Sequence, residues 1–539
     1  MRIHPIKKMG SQNKLISDYR LGKQEIMDFF DYIPSGDLET RVKELRERTF
    51  QRESLQEVLH KLNKAWDAPN STLHNINRFS NKDSVVVIAG QQAGLLTGPM
   101  YTINKVISIL QLAKQQEEEL NIPVIPVFWI AGEDHDFDEI NHIFMQEKSR
   151  LKKLKVGQEN IDKCSVSEIQ LEKNIIRNWL DNVFSYLRET ENTKDLYHSI
   201  LRCLDQSETY TDFFARLIFK LFPNEGLVLI DSHHPLVRNL EKEYFEQMIL
   251  KQQEISSGVY EIIDKLRKKD YQVPLEVDLN SGNLFYHHDK ERILLFRDEN
   301  GGWIGKQNEI ELTTEELINI ATNQPERLSN NVVTRPLMQE LLFPSLAFIG
   351  GPGEISYWSA LKPVFHVFGI KMPPVFPRLS FTYIEPKVSK MIEHFTITPE
   401  EVVNNGVQDY KRNLIDSQTN PPIHELAKDI KATIEKAHRP LRDLAKGIRA
   451  DIGELADKNL YYLQKEISFI EGRIVRAVEE KYDKELTELD YINVHLYPDG
   501  LQERIWNPLP FINKFGVDFI KKTIDSPCSF SYDHYLVYL

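Results

Sequence analysis

Two near-continuous apolar runs, SVVVIAG at 84–90 and PVIPVFWIAG at 123–132, flank the helix-forming stretch YTINKVISILQLAKQQEEEL. Runs that are apolar on both faces read as strands covered on both sides. A strand–helix–strand unit of this length closes through a right-handed crossover, with its strands parallel. The pattern commits the chain to an α/β sheet, and the sheet signal returns at EGLVLID, at SLAFIGGPGEISYW and at PVFPRLSFTYIEP. At 539 residues the chain exceeds what one core holds, so two or three domains are expected.

The first eighty residues read as helical, because LETRVKELRERTFQRESLQEVLHKLNKAW spaces its apolar residues at three and four. Residues 1–385 are expected to form the α/β core, interrupted by insertions at about 150–220 and 240–330. The second insertion holds LFYHHDKERILLFRDENGGWIG, which alternates like a hairpin. Over 386–490 the texture becomes helical, and Leu460, Leu463, Ile467, Ile470, Ile474 and Ala477 keep a heptad seam. Ile423, Leu426, Ile430, Leu441, Leu444 and Ile448 continue it less regularly. Pro440 should bend or interrupt that helix, and Gly447 and Gly453 mark places where it can fold back. An antiparallel coiled coil follows from the pattern, which favours a homodimer; a helical bundle packed on the sheet is the alternative. Residues 491–539 carry enough aromatic side chains to dock back on the core.

Ligands of open α/β sheets bind beyond the carboxyl ends of the strands, and three polar segments stand there. In GQQAGLLTGPMYTINK, Gly90, Gly94 and Gly98 allow close backbone approach, Gln91, Gln92 and Thr97 offer polar groups, and a helix starting near Pro99 points free N–H groups at an anion. Lys105 follows on that helix. The segment matches neither the Walker loop nor the dinucleotide fingerprint. In FWIAGEDHDFDEIN, Trp129 ends a strand and Glu133, Asp134, His135 and Asp136 crowd one imidazole with carboxylates. Such a cluster suits acid–base chemistry, an ammonium group or a divalent cation. In FIGGPGEISYWS, Gly350, Gly351 and Gly353 precede Glu354 and Tyr357, a turn able to hold a hydroxyl or an amine. Arg335 and Arg378 are candidate partners for carboxylates. Glu385 and Lys387, in a KVSKM stretch similar to the lysine loop of class I synthetases, with Trp506 and Lys522, are weaker candidates for a nucleotide.

No metal site is expected. His135 and His142 are spaced to share a helix face, but Cys164, Cys203 and Cys528 are too scattered for a thiolate zinc site or a disulfide framework. The net charge of −13 disfavours a nucleic-acid partner. No apolar segment reaches membrane-spanning length, and the N-terminal MRIHPIKKMGSQNKL lacks the apolar region of a signal peptide. A cytoplasmic protein with small-molecule substrates is expected.

The three motifs, in this order and followed by a helical coil, closely resemble the bacillithiol biosynthesis BshC family over nearly the whole chain. The resemblance implies a Rossmann-like, nucleotidylyl-transferase-type core with connecting-peptide insertions and a dimerising coiled coil. It also implies a cysteine ligase joining L-cysteine to glucosaminyl-malate to give bacillithiol. ATP or another adenine nucleotide, with Mg²⁺ beside it, is the cosubstrate implied by analogy of fold. On this reading His135 or Asp136 is the base, with Glu133 and Lys105 in the catalytic group. Neither the HIGH nor the KMSKS signature is present, and Gln91 and Gln92 stand where the histidines of HIGH would be. A non-catalytic coiled-coil scaffold and a nucleotidyl transferase are the competing readings.

Overall fold

In a computed structural model, which describes residues 1–7, 13–33, 38–159 and 164–539, the apolar runs assemble into one parallel five-stranded sheet. Its order is Val375–Pro377, Ser345–Gly350, Val85–Gln91, Val124–Ile130, Val228–Asp231. Counted along the chain this is 5-4-1-2-3, the order of a doubly wound Rossmann-type sheet. The strands are there because their residues need covering on both faces. Val86, Val87, Val127 and Ile230 are fully buried, each stabilising the fold by about 1.5–3 kcal/mol. The helix Tyr101–Leu120 supplies part of that cover through Ile103, Val106, Ile107 and Ile109, and ends at Asn121 in a left-handed cap.

The chain divides into two compact units. The first holds Met1–Met145, Lys152–Tyr383 and Gln502–Leu539; the second holds Gln146–Leu151 and Ile384–Leu501. The sheet lies in the first unit, and so does the segment Gln502–Leu539, whose strand His534–Tyr538 pairs antiparallel with Arg2–Ile6. That pairing corrects the helical reading of the N-terminus: RIHPI is a strand, and the helices begin at Lys14–Arg20. Parts of that stretch, at 8–12 and 34–37, and part of the first insertion, at 160–163, lie outside the described residues. The PVFPRLSFTYIEP run also splits. Val375–Pro377 joins the parallel sheet, whereas Phe381–Ile384 belongs to the small sheet with Arg2–Ile6 and His534–Tyr538.

The first insertion contributes the helices Lys173–Ser185, Thr193–Asp205 and Tyr210–Leu221. In the second, Ser281–His288 and Glu291–Arg297 form the hairpin that the alternation predicts, extended to five strands by Trp303–Gly305, Glu311–Leu312 and Leu328–Asn330.

In the second unit, the helices Ile423–Ile448 and Ala450–Lys481 run antiparallel, joined through the single extended residue Arg449. Lys431 with Glu471 (2.7 Å), His438 with Asn459 (3.0 Å) and Lys446 with Asp457 (2.8 Å) fix the register. The helix continues through Pro440 without a break. One lost hydrogen bond on an exposed helix is tolerated here, and the reversal falls between Gly447 and Gly453 instead. The heptad seam splits: Leu460 is buried, while Leu463, Ile470 and Ile474 are 40%, 50% and 38% exposed.

Candidate active site at the carboxyl edge of the parallel sheet

The strand order reverses between Val85–Gln91 and Ser345–Gly350, and such a crevice is where α/β sheets receive ligands. Lys105 bridges it. Its ammonium donates to Gly90 O (2.6 Å) and Gln91 Oε1 (2.9 Å), and pairs with Glu354 Oε2 at 2.6 Å. A lysine has three protons, and here all three have acceptors. Burial pushes the Lys105 amine down, and the Glu354 carboxylate opposes that shift. Glu354 also accepts from Gly351 N (2.8 Å), which closes the first turn of the helix Pro352–Trp358. Lys105 thus ties the first motif to the third and positions both.

Gln92 ties the first motif to the second by donating to Asp134 Oδ2 at 2.6 Å. Burial would raise the Asp134 carboxyl, but the bond from Gln92 and the charge of Arg292 hold it below its usual range. His135 Nδ1 lies 3.4 Å from Arg292 Nη1 and 3.7 Å from Asp134 Oδ1. With a side chain 37% exposed, His135 reaches solvent. Asp136 is exposed beside it, at the start of the short helix Phe137–Ile140. Glu133 is different. It is buried and paired with Arg238, which also holds Glu241 at 2.5 Å, so it is a structural anion. His142 begins the strand His142–Glu147 and does not share a helix face with His135.

The loop between strand and helix is strained. Leu96, Thr97 and Gly98 all have positive φ (50°, 72° and 72°), a conformation costly for a β-branched residue such as Thr97. A Cβ on Gly94 would meet Gly98 Cα at 2.8 Å, so the small size of Gly94 serves the loop's own packing. Gly94 N and Gly98 N donate within the loop, to Gln92 O and Leu95 O, and Met100 N donates to Trp506 O. These three amides are turned inward and are not offered to an anion. The helix begins at Tyr101.

Trp129 is fully buried and packs edge-on against Phe343, out of reach of a ligand. Arg378 makes a two-toothed pair with Glu503, at 2.7 Å on each branch, and is committed to it. Burial opposes ionisation of Glu503, but the Arg378 guanidinium overcomes it and holds the carboxyl down at about 2. Arg335 contacts the Tyr357 hydroxyl and keeps a buried Nε with no partner among the described residues. Trp506, fully buried against Phe511, cannot stack on a nucleotide, while Lys522 is exposed. In the second unit, Lys387 lies over the Tyr491 ring (3.9 Å) and Glu385 is 3.8 Å from His495.

Sequence reasoning missed several groups here. Arg292, from the second insertion, reaches His135, Ser329 Oγ (3.1 Å) and Asn330 O (2.7 Å). Arg504 is exposed on a cleft of about 250 Å³ lined also by Gly98, Tyr101, Glu139 and His142. A second cavity of about 270 Å³, lined by Leu96, Leu217, Leu509 and Ile512, is mostly apolar and offers little for chemistry.

Comparison with known proteins agrees with the layout. Residues 1–379 match the model of the bacillithiol biosynthesis BshC N-terminal Rossmann-like domain, and residues 381–539 match that of the BshC C-terminal coiled-coil domain. Over 98% of both chains, the sequence is 42% identical to a protein of Oceanobacillus iheyensis named "Putative cysteine ligase BshC". It is 41% identical to proteins of the same name from Bacillus cereus (strain Q1) and Bacillus anthracis (strain A0248), again over 98% of both chains. Fold, motif order and full-length similarity coincide, and the chain belongs to the bacillithiol biosynthesis BshC family.

Proposed function

We propose that the protein is a cysteine ligase that joins the carboxyl of L-cysteine to the glucosamine amine of glucosaminyl-malate, forming bacillithiol. The observation that carries this reading is the convergence of the three strand-end motifs, through Lys105 with Glu354 and Gln92 with Asp134, in a chain of this family. A free carboxylate resists attack by an amine. ATP, with Mg²⁺, supplies the missing leaving group. As the C–N bond forms and the C–O bond to the leaving group breaks, the amine must lose a proton, and His135, with Asp136 beside it, is the accessible base of the cluster. The malate carboxylates fall to Arg335 and Arg504, since Arg378 and Lys105 are already paired.

The exposed apolar side chains of the helical hairpin, among them Leu441, Leu444, Phe469 and Ile470, support a homodimer through this unit. No described helix is long and apolar enough to cross a membrane, and a cytoplasmic location fits substrates of this kind. The deciding experiment is mass spectrometry of reactions containing purified protein, glucosaminyl-malate, L-cysteine and Mg²⁺, with and without ATP. Bacillithiol formed only with ATP is the expected result. No product in either reaction overturns the reading of a self-sufficient ligase.

A further inference from the structure

Beside the His135 cluster, three side chains from separate segments converge on a point that the proposed ligation does not use. Glu168 comes from the first insertion, His233 from the turn after the strand Val228–Asp231, and His287 from the hairpin strand Ser281–His288. One ligand atom from each lies within 4.8 Å of the others. His233 Nε2 is 3.5 Å from Glu168 Oε1, and the two imidazole rings are 5.1 Å apart. We propose that Glu168, His233 and His287 bind a divalent transition metal of the Zn²⁺ class, leaving a fourth coordination position open.

The donor set selects that class. Two imidazoles with one carboxylate suit zinc and its neighbours, whereas Mg²⁺ and Ca²⁺ prefer oxygen alone. Three protein ligands with an open position are also the pattern of reactive rather than purely structural zinc sites. Tetrahedral zinc with bonds near 2.05 Å needs donors about 3.3 Å apart, so the set needs only a modest contraction around an ion.

Glu168 and His287 are held through their side chains, and His233 through its backbone. Ser165 N donates to Glu168 Oε2 (3.3 Å), which leaves Oε1 toward His233. Ser329 Oγ is 2.8 Å from His287 Nε2, and Asp231 Oδ1 accepts from His233 N at 3.0 Å. Partners of this kind orient metal ligands. His233 is buried, with Nε2 the nitrogen turned toward Glu168. The guanidiniums of Arg238 and Arg292 lie nearby, and each faces carboxylates that offset its charge: Arg238 is paired with Glu133 and Glu241, and Arg292 lies 3.8 Å from Asp134. The expectation of no zinc rested on scattered cysteines, and these donors use none.

The test is independent of ligation. Full-length protein is stripped with a chelator, incubated with Zn²⁺, desalted and assayed for bound metal, with Co²⁺ as a visible-absorption probe. Wild type should retain about one ion per chain with a tetrahedral Co²⁺ spectrum. Glu168→Gln and His287→Asn should each weaken retention at least tenfold. The Glu168 side chain is half exposed, so its variant folds and decides the matter even if a His233 variant does not. Wild type that retains no metal, or the same metal content in wild type and a folded Glu168→Gln protein, overturns the proposal.

Discussion

Asn507 Nδ2 donates to Gly98 O at 2.7 Å, and to Leu96 O at 3.0 Å, across some four hundred residues of chain. The bond holds the turn in which Leu96, Thr97 and Gly98 keep positive φ, so the C-terminal segment keeps the first motif in a conformation its own residues disfavour. Asn507→Leu removes the donor and leaves two buried carbonyls unsatisfied. A loss of about 1–3 kcal/mol is expected in urea unfolding. A falling ligation rate with little change in nucleotide dependence should accompany it. Unchanged stability and rate would mean that the loop holds its shape alone.

Gly94 and Gly98 should fail differently when each becomes alanine. At Gly94 the new methyl meets Gly98 Cα at 2.8 Å, backbone against backbone, and neither can retreat as a flexible side chain would. At Gly98 there is room, the nearest atom being 3.6 Å away, but φ 72° with ψ −159° is a region essentially reserved for glycine. Both variants should lose about 1–3 kcal/mol in thermal or urea unfolding. Bulkier residues should worsen Gly94 steeply and Gly98 only slightly.

The three motifs were legible because each is contiguous and ends an apolar strand, so position along the sequence stands in for position in the sheet. Their partners were not. Glu503 and Asn507 come from a segment whose composition suggests only docking, and nothing local marks which carboxylate will meet Arg378. Arg292 and His287 sit in a hairpin whose alternation reveals strands but not what the hairpin faces. Trp129 and Trp506 misled for a related reason. An aromatic residue near a motif looks the same in sequence whether it lines a cleft or packs behind it.

Glu503 gives a pH prediction. Held at about 2 against an ordinary 4.5, its carboxyl contributes stability that is fully present above pH 4.5 and is lost as pH falls through 2. Wild-type melting temperature should therefore drop steeply on that acid limb. Glu503→Gln leaves Arg378 buried without its counter-charge and should be about 3–5 kcal/mol less stable at neutral pH. It should also show a shallower acid limb, and equal limbs in the two proteins would assign the acid sensitivity elsewhere.

His135 and Glu133 separate chemistry from architecture. His135→Gln, at a partly exposed side chain, should fold normally and lower ligation about 10²–10⁴-fold. Glu133→Gln removes the anion from a buried guanidinium and should act first on stability. Assay of ligation and melting on both proteins checks the division. Full ligation by His135→Gln would remove it from the mechanism.

The coiled-coil helices test the dimer. Leu444 is 62% exposed and Ile470 50% exposed, apolar side chains on long helices that are also joined by polar pairs such as Lys431 with Glu471 and Lys446 with Asp457. A seam of this composition leaves its apolar half for another surface, and a second copy presents the same surface in a two-fold arrangement. Light scattering of wild type at micromolar concentration should give twice the chain mass. Leu444→Glu and Ile470→Glu, which place charge at exposed positions and leave the fold unstrained, should give monomers of unchanged melting temperature. A monomeric wild type would show that these apolar side chains do not form a dimer interface at that concentration.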